Sequence, residues 1–179
     1  MSAVAEAPQK QLTLRDRLNS DGMKKHLAMA LPKHVTPDRM VRVALTAMTR
    51  TPKLADCDQA SFFKALFECS QWGLEPDGRR AHLIPFENKR KGIVECQLII
   101  DYKGLIALAK RSGEIADIGA MIVKENDEFE WVNGEITHRV NWRKPRGAAQ
   151  CVYSYVKMKD GTRTHEVMTM DEVDDIRKR

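Results

Sequence analysis

Gln97 to Gly113 reads QLIIDYKGLIALAKRSG, and the way this run divides decides the class of the fold. Gln97 to Ile100 is a short, mostly apolar stretch with the character of a buried strand, and Asp101 interrupts it. An Asp between a strand and an apolar-periodic segment is a helix N-cap, because its carboxylate accepts from the backbone N–H groups that the first turn leaves unpaired. The helix it starts is predicted to carry Leu105, Ile106, Leu108 and Ala109 inward and to stop at Ser112-Gly113. Lys103 and Lys110 stand seven residues apart, hence within ~20° of each other around the axis and ~10 Å along it. Only Ala107 lies between them. A phosphate chain laid across this face meets two ammonium groups and a methyl group, and Arg111 adds a forked donor to one side. The competing reading is an ordinary amphipathic helix with a solvated basic face.

Working outward, the N-terminal side is helical and the C-terminal side is strand-rich. Residues 1–12 lack an apolar face and are expected to be a flexible arm. Thr13 caps a short helix over Leu14 to Leu18, and Ser20-Asp21 starts a second that ends near Leu31-Pro32. Thr36-Pro37 pairs a cap with a proline at the first helical position. The helix it opens is predicted to bury Met40, Val43, Ala44 and Ala47. Asp58 begins the next, with Phe62, Leu66 and Cys69 at helical spacing. His82 to Phe86 and Ile93 to Ile100 form a hairpin with Lys89, Arg90 and Lys91 at its tip. Strands are expected over Ala116 to Lys124, Glu128 to Val132, Glu135 to Arg139, Cys151 to Met158 and Arg163 to Met168, with Asn133-Gly134 a tight turn. Thr169 with Glu172 is a capping box for a last helix. The fold class is α+β: a helical layer on small antiparallel hairpins, a central basic helix and a C-terminal helix, as one domain over residues 13–179.

Composition sets the bounds. At 179 residues, 42% hydrophobic and 31% charged, the chain matches a globular domain. No apolar run approaches the ~20 residues of a membrane span, so no membrane partner is expected. Cys57, Cys69, Cys96 and Cys151 form no Cys-x-x-Cys pair and read as free thiols of a cytoplasmic protein. Net charge is +5, and its distribution is uneven. Gln9 to Lys53 holds ten Lys or Arg against three Asp, a balance of +7; Thr137 to Gln150 holds four against no acid, +4; Lys124 to Glu135 holds one against five, −4. Segregated cationic blocks favour a polyanionic partner.

The sequence contains no phosphate-binding loop for ATP, no Gly-x-Ser-x-Gly elbow, and no metal spacing among His26, His34, His82, His138 and His165. Pro76-Asp77 followed by Asp101-Tyr102-Lys103 has the form of a restriction-type nuclease signature, in which two carboxylates hold magnesium and the lysine steers water. Asp101 is equally explained as a cap, and Asp77 as the Asp of a Glu-Pro-Asp-Gly turn. Nucleic-acid binding requires cations for phosphates and flat side chains for bases. Tyr102 beside Lys103, Phe86 beside the basic tip, and Trp142 before Arg143, Lys144 and Arg146 meet that description. Trp131 is expected to pack. No helix-turn-helix, zinc-finger or RNP signature supports sequence-specific duplex reading.

Three segments, Cys69 to Pro76, His82 to Phe86 and Gln97 to Gly113, together with Ala30 to Arg39, Asn126 to Phe129 and Glu166 to Thr169, resemble the RecT family of phage single-strand annealing proteins. The resemblance implies a recombinase that coats single-stranded DNA and anneals complementary strands without ATP, in the cytoplasm of a phage-infected bacterium. It also implies a homo-oligomeric ring or helical filament, bound single strand and annealed duplex, and a phage exonuclease as partner. No cofactor is implied beyond magnesium as a DNA counterion. Matching residues Tyr102, Lys103, Gly104, Lys110 and Arg111 are expected to line the DNA groove, with Arg79, Arg80 and Lys89 to Lys91 joining from loops. Two departures stand out. Asp101 replaces a common Gly, and the chain ends where relatives continue into a segment associated with host single-strand-binding protein. A magnesium-dependent nuclease and a passive single-strand-binding module are the alternatives.

Overall fold

The computed structural model describes residues 12 to 178. All but the last residue of the expected N-terminal arm therefore lies outside the described residues. The chain divides into two compact units, one through Leu108 and the other from Ala109.

The first unit opens with α1 (Leu14–Asn19), α2 (Asp21–Ala30), α3 (Pro37–Arg50) and α4 (Gln59–Gln71), with a short 3-10 turn over Pro52–Asp56 between the last two. Each α-helix begins where a side-chain oxygen can serve the first turn. Thr13 and Asp16 make a reciprocal box, and Ser20, Thr36 and Asp58 accept from the backbone N–H of Met23, Arg39 and Ser61. The hairpin β1 (Ala81–Asn88) and β2 (Ile93–Ile100) pairs antiparallel, Ala81 opposite Ile100. Leu18, Leu27, Met40, Phe62, Leu66 and Leu83 are buried in its core, and Leu98 of β2 also meets a second cluster of Cys69, Leu74 and Ala81. α3 buries Met40 and Ala44 as predicted, together with Val41 and Met48, while Ala47 is half-buried against the core and Val43 only half-buried. Helical spacing fixes the width of an apolar stripe but leaves its centre free by one residue when Val41 and Val43 are both apolar.

α5 (Tyr102–Arg111) follows β2 directly and carries the chain from the first unit into the second. In the second unit β3 (Ile115–Lys124), β6 (Ala149–Met158) and β7 (Arg163–Thr169) form an antiparallel sheet in the order β3-β6-β7. The hairpin β4 (Glu128–Val132) and β5 (Glu135–Arg139) turns at Asn133-Gly134, both at positive φ. Phe129 and His138 of that hairpin pack on Tyr153 of β6. α6 (Met170–Arg177) starts at the predicted box of Thr169 and Glu172. The architecture is the expected α+β mixture.

Candidate nucleic-acid interface

The N-terminus of α5 is built by backbone accounting. Asp101 Oδ1 accepts from the Lys103 N–H at 3.0 Å, and the Asp101 carbonyl accepts from Gly104 and Leu105. The Asp101 N–H in turn donates to the Arg80 carbonyl at 3.0 Å. That bond seats α5 on the turn that follows Pro76, and Gly104 makes the contact possible. A Cβ there would lie 2.2 Å from the Arg80 oxygen and 2.8 Å from Ile100 Cγ2. Gly104 is accordingly the one buried residue of α5.

Of the predicted inward set, Ile106, Leu108 and Ala109 are half-buried, and Leu105 alone departs from it. Gly104 and Leu108 face the first unit's core, Leu108 against the cluster of Cys69, Leu74 and Ala81, whereas Leu105, expected inward, is 56% exposed. The two-lysine face stands as expected. Lys103 and Lys110 are both exposed, and among the described residues neither side chain makes an ion pair. Lys103 Nζ lies 5.5 Å from the centroid of the exposed Tyr102 ring, a cation–π distance. Arg111 is exposed on the last turn.

The turn that meets α5 adds more cations. Asp77 Oδ1 accepts from the N–H groups of both Arg79 and Arg80 at 2.8 Å. Burial opposes its charge, yet these two bonds, with the Arg80 guanidinium, hold its carboxyl below the ordinary value. Arg79 and Arg80 are exposed. The structure thus brings Arg79, Arg80, Tyr102 and Lys103 together at one end of α5. Asp77 and Asp101 are both occupied by backbone N–H groups, and His82 Nε2 stands 3.5 Å from Asp101 Oδ2.

At the tip of the first hairpin, Lys89 and Arg90 are exposed, whereas Lys91 Nζ is paired with Glu95 at 2.8 Å. Phe86 is exposed on β1. Other cations of the N-terminal basic block serve the fold. Lys24 pairs with Asp38, Arg39 with Glu75 and Lys53 with Glu87, and Arg50 donates to the Asp77 carbonyl.

In the second unit, Arg139, Asn141, Trp142, Arg143, Lys144 and Glu128 line a cleft of about 980 Å3. Trp142 is 80% exposed. The predicted Trp142, Arg143 and Lys144 do lie together here, and the cleft adds Arg139, which sequence reasoning passed over. Arg146 has a different role. Its Nε and one terminal nitrogen donate to the two oxygens of Asp127, at 3.0 and 2.5 Å, and that terminal nitrogen also donates to the Ile122 carbonyl. The Asp127 side chain is 0% exposed and also receives His138 Nε2 at 3.1 Å, while His138 Nδ1 meets the Tyr153 hydroxyl at 3.2 Å. The Arg146 hydrogen bonds, assisted by the Lys124 N–H and His138, outweigh desolvation and drive the Asp127 carboxyl far below its usual range. Spacing rules do not link Asp127, His138 and Arg146, because their separations follow neither a helix nor a strand period. The sequence offers only an Asp in the Asn126-Asp127 turn, which does not announce its burial. Trp131, expected to pack, is 53% exposed.

Among the described residues no group of three or more His, Cys, Asp or Glu could hold a metal ion, and no helix is long and apolar enough to cross a membrane. The pattern of the RecT family matches residues 38–179. The chain is also 41% identical over 167 residues to Protein RecT of Escherichia coli (strain K12). That similarity covers 89% of this chain and 62% of the relative, so the chain spans less than two thirds of the relative's length. The chain belongs to the RecT family.

Proposed function

We propose that this chain binds single-stranded DNA and anneals complementary strands without nucleotide hydrolysis, as a recombination protein. The observation that carries the proposal is the exposed group of Arg79, Arg80, Tyr102 and Lys103 at the start of α5, with Lys110 on the same helix face as Lys103. Lys103 and Lys110 are exposed with no carboxylate among the described residues claiming them, as phosphate contacts require, and family membership supports the same ligand. Two DNA strands repel each other and fold on themselves. Cations that neutralise phosphates reduce the first obstacle, and extended binding removes the second. Base pairing then supplies the driving free energy, so the proposal includes no ATP and no catalytic residue, with magnesium only as a DNA counterion.

One small chain contacts only a few nucleotides, and testing register over a useful length calls for many subunits in a row. A homo-oligomer with a head-to-tail interface meets that need; single strand and annealed duplex are the proposed ligands, and an exonuclease that exposes the strand is the proposed partner. Against the nuclease alternative, each of the carboxylates Asp77 and Asp101 already spends an oxygen on backbone N–H groups.

The test mixes the protein with two dye-labelled complementary oligonucleotides, with and without ATP and magnesium. Faster pairing that is indifferent to ATP is expected. Shortened strands would establish the nuclease instead, and bound but unpaired strands would leave a passive binding module.

A further inference from the structure

We infer that the cleft of the second unit lined by Trp142, Arg139, Arg143 and Lys144 is a nucleobase-capture site, in which one unpaired base of a single strand stacks on the Trp142 indole. The inference rests on the DNA-binding reading proposed above and deepens it, since cations along a helix explain affinity for phosphate but not for bases.

Three features carry it. The first is the indole itself. A tryptophan that is 80% exposed wastes apolar surface unless something covers it, and this one opens onto a cleft of about 980 Å3, the size of an ordinary small-ligand site. The second is rigidity. Arg146 Cζ lies 5.5 Å from the Trp142 ring centroid, and Arg146 is clamped by the buried Asp127. The loop itself is stitched to the turn after β3. The Asn126 N–H donates to the Arg146 carbonyl, the Asn126 side-chain amide to the Pro145 carbonyl, and the Glu125 N–H to the Ala148 carbonyl. Gly147, at φ +78°, allows the close return, because a Cβ there would sit 2.8 Å from the Glu125 carboxylate. The indole therefore rests against a fixed guanidinium and loses little freedom when a base covers it.

The third feature is the sign of the charges. Arg143 and Lys144 are exposed beside the indole and suit the phosphates flanking a captured base. Glu128, which pairs in register with Arg139 across the β4–β5 hairpin, brings a carboxylate into the same cleft. A carboxylate repels phosphate but accepts from the N–H groups of a base edge. The cleft is thus shaped for a base with its backbone at the rim. A duplex hides its base faces in the stack, so the ligand is single-stranded.

The test compares two dye-labelled oligonucleotides of equal length by fluorescence anisotropy with the full chain, one of thymidine and one of abasic sugar-phosphate. Trp142→Ala is expected to weaken thymidine binding ~5- to 160-fold, the range of one base–aromatic stack, and abasic binding by less than about twofold. Trp142→Phe should keep most of the discrimination. Lys103→Ala with Lys110→Ala should weaken both oligonucleotides alike, which separates phosphate contacts from base capture. An equal loss on both oligonucleotides in Trp142→Ala, or no loss on either, overturns the inference and leaves the DNA-binding reading standing. Wild-type protein that binds neither oligonucleotide overturns both.

Discussion

Gly104→Ala is the most informative single change in the first unit, because it separates a glycine that contacts DNA from one that seats a helix. An added Cβ would stand 2.2 Å from the Arg80 carbonyl oxygen, about 1 Å inside an ordinary contact. The obstacle is backbone, so no rotamer change relieves it. The start of α5 must lift from the turn, straining the bond from the Asp101 N–H to that same oxygen. Overpacking of this kind costs ~1–3 kcal/mol and a weakened hydrogen bond ~1 kcal/mol. The better helix propensity of Ala returns ~1 kcal/mol. The net loss is ~1–3 kcal/mol, equivalent to ~2–12 °C in melting temperature for a chain of this size. Thermal melting followed by circular dichroism reads the shift, and anisotropy on single-stranded DNA well below the melting range reads the binding. An unchanged or raised melting temperature would refute the close-approach argument. If DNA affinity fell with melting unchanged, Gly104 would belong to the DNA surface instead.

The lysine pair of α5 and the buried Asp127 each carry a further expected outcome. In Lys103→Ala with Lys110→Ala, the dependence of log affinity on log salt should flatten by ~0.7 per lost phosphate contact, ~1.4 for the pair; an unaltered slope would place the phosphate path elsewhere. The depressed carboxyl of Asp127 predicts acid sensitivity. A group whose folded pKa lies below its unfolded value of ~3.9 stabilises fully above that value and loses the contribution as pH falls through the folded one. The wild-type chain should therefore lose stability progressively below about pH 4, and Asp127→Asn should be weaker at neutral pH with a flatter acid limb. Parallel acid limbs, read by tryptophan fluorescence between pH 7 and pH 2, would refute the assignment.

Helix starts were the most legible part of the sequence, because a cap is a local bargain between one side chain and the N–H groups two or three residues on. Thr13, Ser20, Thr36, Asp58, Asp101 and Thr169 all stand where their side chains say they should. Which face a helix buries was less legible. Leu105 is apolar and outward, since Gly104 permits an approach that no larger side chain could share. The candidate site divides along the same line. Lys103 and Lys110 follow from helical spacing alone. Arg143, Lys144 and Arg146 are near neighbours in sequence with opposite circumstances: the first two are exposed, and the third is claimed by a carboxylate nineteen residues away. No periodicity connects an irregular loop to a turn, so charge counting credits all three alike.

The second unit buries few apolar side chains. Among its described residues only Val123 and Tyr153 belong to the buried hydrophobic set. With so little oil inside, the clamp of Asp127, Arg146, His138 and Tyr153 becomes the fastener that keeps hairpin, loop and sheet in register. Polar fasteners of this sort let solvent in readily when they open, so the backbone amides of β4 and β5 should exchange with deuterium sooner than those of β1 and β2. A surface held by bonds that open and reclose would suit the strand uptake and duplex release proposed above.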